Sequence, residues 1–229
     1  MDQRVLLEHA IPTLGLDFAA SSLLQVAEGL AAAKVTDRFN GIAAAIGAAI
    51  RGRDEEERIF RAVATHRSDI VRIWACLSAR HNPRPGFVDR LRKARPFAAD
   101  GNMSVREFAI DIFRSFLVED PKPGLAILVD WAGDPDPNVR RCAVEGTRPR
   151  GVWTPHIPAL KRDPGLALPL LEPVRADASR YVQNAVANWT QPEWAIKLCR
   201  RWRSESPAPA TAYIVKRALL SLRKRGFEL

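Results

Sequence analysis

The amino-acid sequence predicts an all-α protein, and both its apolar spacing and its turn residues support this. Apolar side chains recur three and four positions apart, for example at Leu23, Val26, Ala27 and Leu30. This spacing is typical of amphipathic helices. Groups of Gly, Pro, Asp and Asn interrupt the pattern, and such groups end helices. We expect helix boundaries at residues 52–54, 82–86, 101–102, 120–124, 134–137, 163–165 and 206–209.

A short pattern recurs five times along the chain and predicts a repeat architecture. Each copy has a polar turn, a valine, a mostly basic residue and an apolar pair, and the valines lie 34, 34, 43 and 33 residues apart. Helix pairs of this length stack into HEAT-like solenoids, because one pair cannot bury its own apolar face. We expect one curved HEAT-like α-solenoid domain of antiparallel helix pairs over residues 1–229; coincidental spacing is the alternative. The valines are Val71, Val105, Val139, Val182 and Val215.

The charge distribution predicts a basic groove in the second part of this solenoid. Residues 138–229 hold 17 Lys and Arg against 7 Asp and Glu, whereas residues 1–137 hold 18 against 19. Such an excess favours a polyanion such as DNA or RNA, although a solvated basic face is the simpler alternative. The residues two positions after each valine are expected to line the concave wall, which would change from apolar to ionic. They are Ile73, Glu107, Arg141, Asn184 and Arg217.

The 43-residue interval contains an insertion, residues 147–158, with the chemistry of a nucleic-acid contact. Prolines surround Arg148, Arg150 and Trp153, which predicts a rigid, non-helical protrusion. Guanidinium groups pair with phosphates, and an indole offers a flat face to a sugar or a base. Packing of Trp153 between repeats is the alternative.

Other residue types exclude several functions. Cys76, Cys142 and Cys199 lie far apart in apolar helical patterns, so we expect buried thiols in a reducing compartment. The four histidines lack the spacing of metal ligands, and we expect neither a metal nor a cofactor. The sequence has no run of roughly 18 to 20 apolar residues that could cross a membrane, and its start lacks the pattern of a secretory signal. We expect a cytoplasmic monomer.

Residues 139–153 carry a resemblance to a known family. They resemble the signature Val-Arg-Arg…Ser-Glu-Gly-Thr-Arg-Pro-Arg-Leu-Pro-Trp of AlkC-type DNA alkylation repair glycosylases, in the AlkC/AlkD HEAT-like superfamily. The similarity continues in residues 163–164, 169–172, 177–188 and 213–219, and residues 107–110 are similar to the family segment Glu-Phe-Ala-Ile. Residues 1–100 resemble the family only in being helical, whereas residues 101–229 contain the family-like repeats.

This resemblance implies a DNA glycosylase that releases small cationic N3-alkylated bases from duplex DNA without full base flipping. A cationic base is a good leaving group, so the protein must chiefly stabilise an oxocarbenium-like sugar and position water. Glu145 and Glu107 correspond to acidic residues of the family's site, and Trp153 to a tryptophan against the lesion. The expected DNA contacts are Arg140, Arg141, Arg148, Arg150, Asn188, Lys216 and Arg217.

One departure from the family pattern concerns its catalytic aspartate. The chain passes from Asn188 to Pro192 without about six residues that contain this aspartate in the family. Glu193 is the nearest carboxylate, but residues 190–193 fit a helix-start capping box more simply. Glu107 and Asp111 are four positions apart and could share a helix face as a compensating pair, or form a solvated acidic face.

Three functional classes therefore stay open at this point. The chain could be a glycosylase, or a catalytically impaired relative that binds DNA or a partner protein without cutting the glycosidic bond. A general protein-interaction solenoid is the third class, and it would have an apolar concave stripe rather than a basic one.

Overall fold

The computed structural model describes residues 2–82, 86–151, 154–189 and 191–228. Over these residues the secondary structure consists of α-helices and short 3-10 turns, and no β-strand occurs among them. The prediction of an all-α, solenoid-like fold is confirmed. The chain divides into two compact units, Met1–Ile112 and Phe113–Leu229, called units 1 and 2 below. The prediction of a single domain stays a prediction.

Unit 1 is built around the buried helix α5. This helix packs against α3, α4, α6 and α7, while α1 packs against α2 and α4. The largest fully buried side chain of the unit, Trp74 of α5, donates its indole N–H to the side chain of Gln3 at 3.4 Å. The helices are α1 (Gln3–Leu14), α2 (Ala20–Gly29), α3 (Val35–Ile50), α4 (Glu56–Ala64), α5 (Asp69–His81), α6 (Phe87–Ala98) and α7 (Met103–Ala109).

In unit 2, three helices pack in succession, α10 against α13 and α13 against α15. Helix α9 packs against α8, α10 and α12, and α14 packs against α15. The helices are α8 (Arg114–Glu119), α9 (Pro121–Ala132), α10 (Pro137–Gly146), α11 (Pro158–Arg162), α12 (Leu168–Leu171), α13 (Arg180–Asn188), α14 (Pro192–Glu205) and α15 (Pro209–Lys224). The described part of the insertion is non-helical as far as the start of α11.

The anchor valines of the repeat are all in the core. Their exposed fractions are 0 or 1%, and they lie on α5, α7, α10, α13 and α15, each preceded by a shorter or longer helical partner. The repeat register predicted from the sequence is therefore confirmed. The three cysteines are buried and unbridged, as expected.

The predicted turn groups supply the helix starts. Asp120 and Asp136 are N-caps whose carboxylates accept the backbone N–H two residues later, at 3.1 and 2.8 Å. In each case a proline follows at the first helical position, where its missing N–H leaves no hydrogen bond unmade. At each of these points the aspartate accepts the N–H of the second helical residue, and the proline before that residue has no N–H to satisfy.

A salt bridge joins one repeat of unit 2 to the next. Arg140, the residue after an anchor valine, donates Nε and Nη2 to the two carboxylate oxygens of Asp177 at 2.6 and 3.0 Å. Its Nη1 donates to the carbonyls of Asp134 and Pro135 at 2.8 and 3.0 Å. The hydrogen bond to Asp177 raises the pKa of Arg140. Asp177 also accepts the backbone N–H of Ser179 at 2.7 Å, so one carboxylate fixes both the salt bridge and the turn before α13.

Unit 1 contains the same arrangement two repeats earlier. Arg72 donates Nε and Nη2 to Asp100 at 2.7 and 3.0 Å, and Nη1 to the carbonyls of His66 and Arg67 at 2.8 and 3.1 Å. Asp100 accepts the N–H of Asn102 at 2.7 Å. The separation of arginine and aspartate is 28 residues here and 37 in unit 2, and the nine additional residues equal the excess of the longest valine interval.

The bridge is absent between the fourth and fifth repeats. Gln183 takes the place of the arginine, and its Nε2 donates to the carbonyl of Asp177 at 2.7 Å. Ala210 lies 33 residues after Asp177, where the next aspartate would be. The arginine–aspartate salt bridge thus joins particular repeats, whereas the buried valine is common to all five.

We expect Asp177→Ala to lower the free energy of unfolding by about 3 kcal/mol, because it leaves a largely buried guanidinium without its carboxylate. Urea denaturation of the purified variant measures this. Asp89→Ala is the matched control, since it removes the exposed pair with Arg92 and should change stability by less than about 0.5 kcal/mol. Equal losses in the two variants would contradict a structural role for the buried pair.

Candidate nucleic-acid interface

A cationic cleft of about 260 Å³ opens in unit 2 where α10, α13 and α15 end. Its lining comprises Arg148, Pro149, Arg150, Asn188 and Arg225. Arg148 follows α10 by two residues, Asn188 is the last residue of α13, and Arg225 directly follows α15. The structure therefore brings together Arg148, Arg150 and Asn188, three of the predicted contact residues.

The position of this cleft explains why cations gather there. Carbonyl groups without intrahelical partners give the C-terminal end of a helix a partial negative charge, which favours nearby arginines. Arg150 and Arg225 are exposed, whereas Arg148 and Asn188 are half-buried. Guanidinium groups offer paired donors that match phosphate oxygens. The cleft has the composition of a phosphate site.

Arg225 was not singled out from the sequence. The run of basic residues at 223–225 was a usable signal, because it follows the last anchored helix. Its position next to Arg148 depends on how α15 packs, and that could not be read from the sequence.

Thr147 connects the end of α10 to the end of α13. Its hydroxyl lies 3.0 Å from the carbonyls of Ala143 and Val144 and accepts the indole N–H of Trp189 at 3.2 Å. Thr147 and Trp189 are 0 and 3% exposed. Because Arg148 follows Thr147 and Asn188 precedes Trp189, this hydrogen bond places both on the same cleft.

Glu145 is held by arginines on the same helix end. Its Oε2 accepts a hydrogen bond from Nη1 of Arg148 at 2.9 Å, and its Oε1 lies 4.0 Å from Nη2 of Arg141. The guanidinium carbon of Arg141 in turn lies 4.3 Å from the centre of the Tyr181 ring. The Glu145 side chain is 12% exposed. The predicted catalytic carboxylate thus adjoins the cleft as the middle member of an Arg–Glu–Arg group.

Arg114 fixes the main chain of the insertion. Its side chain is 1% exposed and donates to the carbonyls of Gly146, Arg148 and Pro155. Sequence reasoning missed this residue, although an isolated arginine inside the apolar run 108–118 was a signal for a buried cation with internal partners.

Three further predicted DNA contacts do not line the cleft. The guanidinium of Arg140 forms the bridge to Asp177 and donates to two carbonyls, because the stacking of α10 on α13 brings that carboxylate to it; its contact with DNA stays a prediction. Lys216 lies in a second groove of about 330 Å³, between α14 and α15, with Arg200 and Arg203. Arg217 is exposed on α15.

The remaining predicted site residues are not among those that line the cleft, or they lie outside the described residues. Glu107 is half-buried on α7 of unit 1, and the helix ends at Ala109, so Asp111 belongs to a 3-10 turn and the two carboxylates do not share one α-helical face. Glu193 is exposed in the first turn of α14, and the N-cap, Gln191, makes no capping hydrogen bond with its side chain. Trp153 lies outside the described residues.

Neither a metal cluster nor a membrane helix is found in the described part of the chain. Its His, Cys, Asp and Glu residues form no group that could hold a metal ion. Its helices are too short or too polar to cross a bilayer. Burial raises the pKa of the Cys199 thiol to about 11, so this cysteine has little thiolate character.

Sequence comparison gives a curated relative over about half of the chain. No family model matches the chain. A curated protein of Bacillus subtilis (strain 168), "Uncharacterized protein YhaZ", is 40% identical over 129 residues, which are 54% of this chain and 35% of the relative.

A solved structure extends the similarity to nearly the whole chain. Pseudomonas fluorescens alkylpurine DNA glycosylase AlkC, bound to DNA containing an abasic site analog, matches 99% of this chain and 64% of its own, with a TM-score of 0.81 and 28% identity. The resemblance to AlkC is thereby supported at the level of the fold. The chain spans about a third of the curated relative and less than two thirds of the solved one.

We expect Thr147→Val to lower the free energy of unfolding by about 1 to 3 kcal/mol, because the buried indole N–H of Trp189 loses its acceptor. Thermal and urea unfolding measure this. Thr65→Val is a close control: Thr65 also caps a helix and donates to the carbonyl four residues earlier, but it is exposed. A Thr147→Val variant as stable as the Thr65→Val variant would contradict the assigned hydrogen bond.

Proposed function

We propose that this chain is a DNA-binding alkylation repair protein, and specifically a DNA glycosylase that releases small cationic N3-alkylated bases without full base flipping. The observation that carries the proposal is the cleft of Arg148, Arg150, Asn188 and Arg225 beside Glu145. It lies on the segment that resembles the AlkC signature, in a chain whose fold is similar to an AlkC glycosylase bound to DNA.

The arginines of the cleft are the proposed contacts to the DNA backbone. Arg148 and Arg150 extend from the insertion, and Arg225 from the end of α15, so three positive charges meet in one cleft. Contacts to phosphates position a protein on a duplex without reading its sequence. Arg140, Arg141, Lys216 and Arg217 are proposed as further backbone contacts on the same helices.

Glu145 is the carboxylate that we propose acts at the sugar. Breaking the C1′–N bond sends its electron pair to the cationic base, which leaves neutral, and the sugar gains oxocarbenium character. Water then adds to C1′ and loses a proton. A nearby carboxylate stabilises the positive sugar. Glu107 is proposed as a second acidic group, and Trp153 as the aromatic face against the lesion.

The pairing of Glu145 with Arg148 couples binding to this chemistry. Arg148 contacts Glu145 at 2.9 Å and also lines the cleft, so a phosphate in the cleft competes with Glu145 for the same guanidinium. In this proposal, DNA binding turns Arg148 towards the phosphate and leaves more of the negative charge of Glu145 for the sugar. The carboxylate of Glu145 is therefore in a different electrostatic environment in the free protein and in the DNA-bound protein.

The same pairing also favours a second candidate, a catalytically impaired relative that binds DNA or a protein without excising bases. Two arginines adjoin Glu145. The proposed deletion between Asn188 and Pro192 would remove the family's catalytic aspartate, and Glu193 is exposed in a first helical turn. A lost transition-state contact of this kind costs a factor of ten in rate for every 1.4 kcal/mol.

The surroundings of the activity are also part of the proposal. We propose duplex DNA, preferably alkylated, as the partner, with the chain acting as a monomer in the cytoplasm and without a cofactor or metal.

We expect release of 3-methyladenine from methylated duplex DNA at saturating protein, and its loss in Glu145→Gln, because the amide removes the negative charge near the sugar. Chromatography of the released bases measures this, with duplex affinity as the control for binding. Release at the level of buffer alone with the unmodified chain would favour the impaired relative. Undiminished release by Glu145→Gln would instead move the catalytic role to Glu107.

We expect the double change Arg148→Ala and Arg150→Ala to weaken duplex binding on all sequences. The slope of log affinity against log salt should become shallower by about 2, since each phosphate contact contributes about 0.9. Fluorescence anisotropy at several salt concentrations measures this. Alanine at Arg61 and Arg92, two strongly exposed arginines of unit 1, makes the same charge change. Indistinguishable slopes for the two double variants would remove the cleft from the interface.

A further inference from the structure

We propose that Arg114 is the positioning residue of this cleft: it holds the main chain that carries Arg148 and Arg150 in the geometry for two adjacent phosphate contacts. The inference rests on the proposed function. It adds a residue that touches no DNA and acts through the backbone of the insertion.

The guanidinium of Arg114 is surrounded by main-chain carbonyls of the insertion and its flanks. Its Nη1 donates to Gly146 at 2.7 Å, its Nη2 to Arg148 at 2.8 Å and its Nε to Pro155 at 2.7 Å. Gly146 ends α10, and Pro155 lies three residues before the start of α11. One side chain therefore joins both ends of the segment that bears the two arginines.

The segment closes tightly over this guanidinium. The N–H of Ile157 donates to the carbonyl of Pro149 at 3.0 Å, which pairs the two ends of the loop. At Gly151, an added Cβ would lie 2.2 Å from Oγ1 of Thr154, 2.5 Å from its carbonyl oxygen and 3.1 Å from Nη2 of Arg114. A side chain at this position would push the loop away from Arg114.

These hydrogen bonds fix the main chain that carries Arg148 and Arg150 before DNA binds. The carbonyl of Arg148 itself accepts a hydrogen bond from Arg114. The main chain is therefore held at Arg148, two residues before Arg150. Ordering a loop on binding reduces affinity, and a preformed loop avoids that loss. A lysine cannot replace this residue fully, because its ammonium group lacks the planar fork that reaches three separate carbonyls.

Unit 1 offers a matched control in Arg90. It is 7% exposed and donates to the carbonyls of Arg80, Asn82 and Ile112 at 2.9, 2.5 and 3.4 Å. Burial lowers its pKa. Arg90 thus has the same structural task, a buried cation on main-chain carbonyls, in a unit that does not contain the cleft.

The test compares Arg114→Lys with Arg90→Lys. Binding of a 20-base-pair duplex is measured by fluorescence anisotropy over a range of salt concentrations, together with the melting temperature. Both variants should melt at a lower temperature. Arg114→Lys should also bind about tenfold more weakly, with a salt slope shallower by 1 to 2, whereas Arg90→Lys should stay within twofold of the unmodified affinity. Similar binding losses in the two variants would overturn the inference.

A double-variant arm separates positioning from general destabilisation. When Arg148 and Arg150 are already alanine, Arg114→Lys should weaken binding by less than a further twofold, because it acts through those two side chains. A full tenfold additional loss would overturn the inference. If Arg114→Lys does not fold, Gly151→Ala displaces the same loop while keeping the buried cation, and it should reproduce the loss of affinity and slope; unchanged binding would overturn the inference.

Amide hydrogen exchange of residues 147–157 distinguishes this inference from the proposed function. Exchange in this segment should be faster in Arg114→Lys than in Arg90→Lys. If the segment depends on Arg114 in this way but the unmodified chain binds no duplex, the proposed function is wrong and the positioning of the loop stands. Equal exchange in the two variants would show that Arg114 does not position the loop.

Discussion

The hydrogen bonds from Arg114 to three main-chain carbonyls are the interaction on which the candidate site depends. They hold the main chain of the segment after α10, so that the side chains of Arg148 and Arg150 extend from a fixed position. A cation that is 1% exposed is tolerated only with such partners. The hydrogen bond from Trp189 to Thr147 holds the end of α13 next to this segment. The proposed phosphate site thus depends on the hydrogen bonds that join the helix ends.

Arginines have three different tasks in this chain, and their partners distinguish them. Arg72 and Arg140 bridge repeats through Asp100 and Asp177. Arg90 and Arg114 bind carbonyls inside each unit. Arg148, Arg150 and Arg225 line an open cleft. Net charge alone gives an excess of positive residues in the second part of the chain, and of these three groups the third is the one that is open to a polyanion.

Much of the fold could be predicted from the sequence because it depends on local spacing. The anchor valines, the turn groups and the proline after an N-cap aspartate are short-range signals, and the structure has them where predicted. The cleft could be predicted in part, because two of its arginines, Arg148 and Arg150, lie two residues apart in the sequence. The salt bridge of Arg140 could not be predicted, because its carboxylate partner lies 37 residues away and is brought near by stacking. The same holds for Arg225, whose place in the cleft depends on the packing of α15. The arginines around Glu145 lie four residues before it and three after it, so local spacing could have indicated them.

A crystal structure with DNA containing an abasic-site analogue would show whether this cleft binds the phosphates of a duplex. We expect phosphate oxygens within hydrogen-bonding distance of Arg148, Arg150 and Arg225, with the hydrogen bonds of Arg114 unchanged and the carboxylate of Glu145 turned towards the abasic sugar. DNA bound to another surface, with the cleft facing solvent, would contradict this expectation.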